Sequence, residues 1–350
     1  MLKKPFMCGL LASLFFAVTF VLNRSMNLEG GYWMWSACLR YIFMLPMLLL
    51  LVWWQGRTGS RTNRPGAVGG QHSPGESGVS GSRTNRPGAT GARHQSDINT
   101  HSGNPTAVGA VLQAIRSCPG RWIVWSTVGF GLFYLPLTMA SVYGESWFVA
   151  ATWQMTIVCG VLLTPLFGKK IPFRNLAWSA VILTGIFMMQ ASRFMGIDPG
   201  EAWKPLVLIV IAAFSYPLGN RKMMLCCPPE LTSIQRVFGM NLCSMPFWIL
   251  FSVISGVTHG APGTSQIVQS LLVALFSGVV ATVLFFKATD MVKQNQRHLA
   301  LVEATQSGEV LFTLLGGILL LHDSMPTGIG LAGIAVIILG MVGNSLAAGK

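Results

Sequence analysis

Two glutamates six residues apart, Glu303 and Glu309, interrupt an apolar run at ALVEATQSGEVLF, residues 300–312. A carboxylate placed in hydrocarbon is costly, and is kept there for ion binding, proton relay or pairing with a buried cation. On an ideal α-helix, six steps of ~100° leave the two side chains roughly 120° apart, so they are not expected to act as a carboxylate pair. Glu309 instead shares a face with Thr305, Gln306, Thr313 and Gly316 through i, i+3, i+4 and i+7 spacing. Glu303 flanks that face nearer the start of the run, beside Gln306 and Ser307. Gly316 and Gly317 allow a neighbouring helix to approach closely. The expected arrangement is a polar wall with Glu309 as proton or cation acceptor, Gln306 and Thr313 beside it, and Glu303 at its rim.

The natural counter-charges are Arg40, in CLRYIFMLP, and Arg236, in IQRVFGMNLCSMP. Each lies about two turns into an apolar run, where a long arginine either snorkels to the interface or meets an anion. Trp153 and Gln154, with Tyr134, are placed to line a cavity and stack on a planar or cationic molecule; the commoner fate of such residues is packing. Other chemistries lack their motifs. The chain has no Walker sequence, no HExxH and no GxSxG, and its six histidines lie in loops or at the ends of apolar runs. The seven cysteines are scattered without CxxC spacing, which gives no case for a metal site or a disulfide framework. No cofactor is implied.

These residues must be positioned by membrane-spanning helices. Of 350 residues, 52% are hydrophobic and 10% charged, against roughly 25% charged in soluble domains, and the mean hydropathy is +0.56. Apolar runs long enough to cross a bilayer fall at about 6–23, 33–54, 122–142, 147–167, 175–192, 204–220, 235–257, 267–287, 299–321 and 327–347. The reading is an all-α polytopic membrane protein with ten transmembrane helices. The N-terminal MLKKPFMCGLLASLFFAVTFVLN imitates a secretory signal without a clear cleavage site, so it is read as an uncleaved first span. A net charge of +13 does not signal nucleic-acid binding, because the Lys and Arg residues sit in the gaps between apolar runs. Lys3, Lys4, the stretch from Arg57 to Arg121, GKKIPFR, Arg221, Lys222, Lys287, Lys293, Arg297 and Lys350 fall on one side, against Arg24, Arg193 and Lys204 on the other. The positive-inside rule then puts both termini in the cytoplasm, across an inner membrane.

The two halves of the chain echo one another. FVLNRSM closes one run and YPLGNRKMM another; Arg40 and Arg236 follow some sixteen residues later, each ahead of a proline, Pro46 and Pro246. ATWQ at 151–154 answers ATQ at 304–306, and AVILTGIFMM answers AVIILGMVGN. Five helices per half put the halves in opposite orientations, as in inverted-repeat transporters. The expected organisation is helices 1–2 of the first repeat over 1–54, helices 3–5 over 121–193, and the second repeat over 203–350. Between them, residues 55–120 are rich in Gly, Ser, Pro and Arg, and repeat GSRTNRPGA at 59–67 and 81–89. That composition reads as a disordered cytoplasmic loop.

Taken together, ATWQMTI, VEATQSGEVLF, YPLGNRKMM, QRVFGMNLCSMPFW and GVVATVLFFKATD resemble the drug/metabolite transporter superfamily, and within it the branch of multidrug resistance efflux transporters. The resemblance covers the chain apart from about 55–120. It implies a proton- or ion-coupled exporter of small organic molecules, with a cavity between the halves and contact with membrane lipid; a homodimer is compatible with it. The small four-helix exporters of that superfamily carry an essential carboxylate in their first helix. The first span here has no acid, so any coupling residue must lie elsewhere. Two alternatives stay open: a flippase for lipids or lipid-linked sugars, and a membrane sensor or partner subunit.

Overall fold

The computed structural model describes residues 3–62, 106–171, 173–194, 203–292 and 294–348. Among them the chain is helical throughout, with no strand. The rods are α1 (Lys3–Leu28), α2 (Trp33–Thr62), α3 (Ala107–Ser117), α4 (Pro119–Tyr143), α5 (Ser146–Leu162), α6 (Phe173–Phe194), α7 (Lys204–Cys226), α8 (Ser233–His259), α9 (Thr264–Asp290), α10 (Arg297–Leu321) and α11 (Gly328–Ala348). Seven of them (α1, α2, α4, α8, α9, α10 and α11) are long and apolar enough to cross a membrane. The chain is an integral membrane protein. Apart from the short α3, successive rods run in alternating directions, so one end of the bundle gathers the N-terminus and the start of α10, and the other the α1–α2 and α10–α11 turns.

Helix ends follow their local chemistry. Thr232 and Gln235 form a reciprocal capping box at the start of α8, and the Asn295 side chain accepts from His298 N at 3.1 Å ahead of α10. His322 ends α10 in the left-handed region at φ 55°, the one such non-glycine residue described.

Packing between rods is paired. α1 lies against α9 and α10, α7 against α4 and α5, α2 against α8, and α6 against α11. Small residues set the closest crossings. A Cβ added to Gly333 would come 2.7 Å from Gly185 O, and one added to Gly340 would meet Ile182 at 2.6 Å. α7 likewise crosses α4 backbone to backbone at Gly219 and Gly129.

One feature differs from the sequence reading. The expected loop 55–120 contains a helix, α3: Val111 and Ala114 share one apolar stripe, packed against α2 and α8, and Thr106 caps it through Gly109 N at 3.1 Å. A single stripe three turns long is too short to register as a span. Residues 63–105, with the second copy of GSRTNRPGA and most of the first, lie outside the described residues, as do Lys293 and Lys350. Trp248 is fully buried and stacks on Tyr41 with ring centroids 4.4 Å apart. α4 carries a π-helical stretch, Thr127–Gly131, upstream of Pro136. α9 carries a second one at Ala274–Ala281. Wide turns of this kind are frequent at functional sites.

Candidate transport cavity

The helix carrying ALVEATQSGEVLF is not wound evenly. Residues Thr305–Ser307 form a 3₁₀ turn, and at three residues per turn these three add roughly 60° of rotation over an ideal α-helix. The separation expected between Glu303 and Glu309 shrinks from roughly 120° to roughly 60°. Both carboxylates therefore border one cavity of about 470 Å³, which also takes in Gln306 from the 3₁₀ turn itself. The expectation that they sit on different stripes fails for this reason.

The opposite wall has a matching irregularity. Gln154 is the break between two helical segments of α5, Ser146–Trp153 and Met155–Leu162, and Trp153 and Gln154 both line the cavity. The repeated motif A-T-(W)-Q therefore marks, in both places, a helix interruption with its glutamine at the cavity. Gln154 Nε2 donates to Ala150 O at 3.1 Å, and Gln154 borders the same cavity as Glu309. Gln306 Nε2 donates to Gly9 O of α1 at 3.4 Å.

Arg40 does not snorkel. It is 8% exposed and lies at the cavity wall. Its Nη1 donates to Thr19 Oγ1 at 3.1 Å and its Nη2 to Ser277 Oγ at 3.2 Å, while the guanidinium stands 4.2 Å from the centre of the Tyr134 ring. Tyr134 is held in turn by Asn23, whose Nδ2 donates to its hydroxyl at 3.0 Å. No carboxylate oxygen of the described residues lies within 4.0 Å of Arg40. Aromatic side chains finish this level: Phe133 stands 4.9 Å from both Trp153 and Tyr216, centre to centre. Arg236 and the exposed Glu303 line the cavity on the side of the N-terminus, with Asn220 and Asn344.

At the other end the helices are tied shut. Arg24 Nε stands 3.7 Å from Asp323 Oδ1. Asp323 Oδ2 accepts from Ser146 N at 3.0 Å and from Ser146 Oγ at 2.6 Å, and Trp147 Nε1 donates to Ser324 O at 3.0 Å. Arg24 Nη1 also donates to the carbonyls of Ser141 and Val142, each at 3.3 Å. These contacts join α1, α4 and α5 to the turn after α10.

A family model described as "Putative multidrug resistance efflux transporter", EmrE, matches residues 3–64 and 100–350. The chain belongs to the EmrE family. It is similar to "Uncharacterized protein YjlA" of Bacillus subtilis (strain 168), at 41% identity over 98% of this chain and 95% of that protein. It is also similar to a protein of Shouchella clausii described as "Uncharacterized 42.1 kDa protein in intracellular alkaline protease 3'region", at 38% identity over 87% of this chain and 70% of that one. Membership of the EmrE family makes the chain a membrane transporter of small molecules.

Against that EmrE-family background, Glu309, Gln306, Glu303, Gln154, Trp153, Arg40 and Arg236 all border the one cavity, and Thr313 does not. Thr313 is fully buried and its hydroxyl has no partner among the described residues. Glu309 and Thr313 both lie in the evenly wound stretch Gly308–Leu321 and keep their i, i+4 spacing, but Thr313 sits one turn farther along, where the cavity lining does not reach. Gly316 packs on Val21 of α1, and Gly317 makes room for Asp323, whose Oδ2 a Cβ there would meet at 2.7 Å. Thr19, Ser277, Tyr41 and Tyr216 were missed by sequence reasoning. For Thr19 and Asn23 the signal is a pair of polar residues at i, i+4 inside an apolar run; for Tyr216 it is the repeat motif YPLGN.

Proposed function

We infer that this chain is a secondary-active transporter which moves small organic molecules out of the cytoplasm by alternating access, with Glu309 as the proton or cation acceptor. Ten helices cross the membrane as two inverted five-helix repeats: 1–54 with 121–193, and 203–350. Both termini face the cytoplasm. The observation that carries this reading is a cavity lined from both halves at corresponding positions, Gln154 with Gln306 and Arg40 with Arg236, with the helices joined beyond it by the Arg24–Asp323 cluster. The packing partners support the inverted plan, since α1 on α9 and α7 on α4 are the same contact with the halves exchanged, as are α1 on α10 and α7 on α5. The irregular turns support it too, since the π-helical stretches of α4 and α9 and the breaks in α5 and α10 fall in equivalent helices. A cavity open at the N-terminal end corresponds to the cytoplasm-facing state of the cycle.

In this mechanism Gln154, Gln306 and the aromatic walls bind the substrate, and Glu309 exchanges a proton or cation for it. Opening the far end requires the Arg24–Asp323 contacts to part while the mouth between Glu303 and Arg236 closes. The test is uptake into proteoliposomes under an imposed pH gradient. Wild-type protein is expected to concentrate substrate against its gradient, and Glu309→Gln to lose at least ~10-fold of the gradient-driven rate while keeping exchange. Unchanged, pH-dependent transport by Glu309→Gln would remove this residue from the mechanism.

A further inference from the structure

We propose that the cavity takes an amphoteric substrate, one that carries a carboxylate or similar anionic oxygen group beside a protonated amine on an aromatic-sized apolar body. This names the substrate class of the site described above and rests on that reading.

The first observation is Arg40. A guanidinium offers five N–H donors in a planar fork suited to two oxygens of one anion. Here it is more than nine-tenths buried at the cavity wall, its two Nη atoms are engaged by neutral hydroxyls alone, and its Nε has no acceptor among the described residues. Burying a cation without an anion beside it is costly unless an anion arrives. The cavity is the place from which that anion would come.

The second observation is Glu309. It borders the same cavity and interacts with Arg40 electrostatically, yet the two make no ion pair within 4.0 Å. The two groups thus border one cavity without pairing, and Tyr134, Trp153 and Tyr216 line it with them. A lipophilic monocation would pair with Glu309 and lie against the aromatic faces, but would be repelled by Arg40. A simple anion would pair with Arg40 and be repelled by Glu309. A molecule with both charges on one apolar frame satisfies both groups, and about 470 Å³ is room for one of modest size.

The experiment is calorimetric titration of the full-length chain in lipid nanodiscs with matched ligands: L-tryptophan, tryptamine and indole-3-propionate, then L-tyrosine, tyramine and 3-(4-hydroxyphenyl)propionate. In at least one set the zwitterion should bind at least ~10-fold more tightly than either singly charged ligand. Arg40→Gln should erase its advantage over the amine, and Glu309→Gln its advantage over the acid. Arg40→Lys should fall between, because it keeps the charge and loses the fork. An amine that binds as tightly as its zwitterion, an unchanged order in Arg40→Gln, or no zwitterion binding in either set overturns the proposal. The wild-type order decides it even if a variant does not fold. Efflux of a cationic dye from proteoliposomes separates the two readings. Dye transport without zwitterion binding sinks the amphoteric substrate alone, whereas loss of both sinks the transport reading as well.

Discussion

Arg24 of α1 and Asp323, just beyond α10, stand 3.7 Å apart at the closed end of the cavity, and Ser146 of α5 donates twice to the same aspartate. Asp323 is nearly buried, so removing its charge strands polar groups that water cannot readily reach. Asp323→Asn and Arg24→Gln are each expected to lower stability by about 1–3 kcal/mol. Their effects should fall short of additive in the double variant, because the two share one interaction. Thermal unfolding in detergent measures the cycle; strict additivity would show that the pair is not coupled. Hydrogen exchange at 317–324 and 141–147 should rise in both single variants.

Gly317 leaves the space that the Asp323 carboxylate occupies. Gly317→Val is expected to displace that carboxylate and reproduce the Asp323→Asn exchange pattern. A variant with native exchange at 141–147 would show that the turn accommodates the side chain by another route.

The α6–α11 crossing depends on Gly185, Gly333 and Gly340. Gly340→Leu forces Ile182 and its backbone away and should cost on the order of 1–3 kcal/mol. The same change at Gly120 or Gly328, where a Cβ meets nothing within 4 Å, should leave the melting temperature close to wild type.

Glu29, outside the spans, titrates below its ordinary value of 4.5, first because Ser265 and then because Gln269 donates to its carboxylate; the Gln269 contact is 2.7 Å. A lowered folded-state value means that this stabilisation is complete above the unfolded value and is lost as pH falls through the folded one. Glu29→Gln should therefore lower stability at neutral pH, where the contribution is complete, and flatten the acid limb of the stability profile below about pH 4.5. An acid limb identical to wild type would show that the contacts contribute nothing.

Residues 65–99 fall outside the family match. Removing them should leave transport within about twofold of wild type, since a change of this length in a connecting segment alters loop-closure entropy little. Full loss of transport with normal insertion would favour the sensor or partner-subunit reading instead.

The sequence was informative wherever a residue's cost announced it. Glu309 and Arg40 stand out because charge in hydrocarbon demands a reason, and Gln154 and Gln306 because their motif recurs. Thr313 misled because spacing gives a shared face with Glu309 but not how far along the helix the cavity extends. Asp323 was passed over as one more acid in a loop, because its burial comes from Gly317 and Ser146, which only the fold brings together. Helix α3 was hidden inside a stretch whose overall composition argued for no structure at all.

A permanent positive charge at Arg40 has an electrical corollary. Moving one elementary charge across the full membrane potential is worth about 2.3 kcal/mol per 100 mV, and in the proposed alternating-access cycle the guanidinium would pass through some fraction of that field. While Glu309 is ionised the two charges offset each other, so the swap is nearly silent to voltage. Once Glu309 is neutralised, the voltage acts on Arg40 alone.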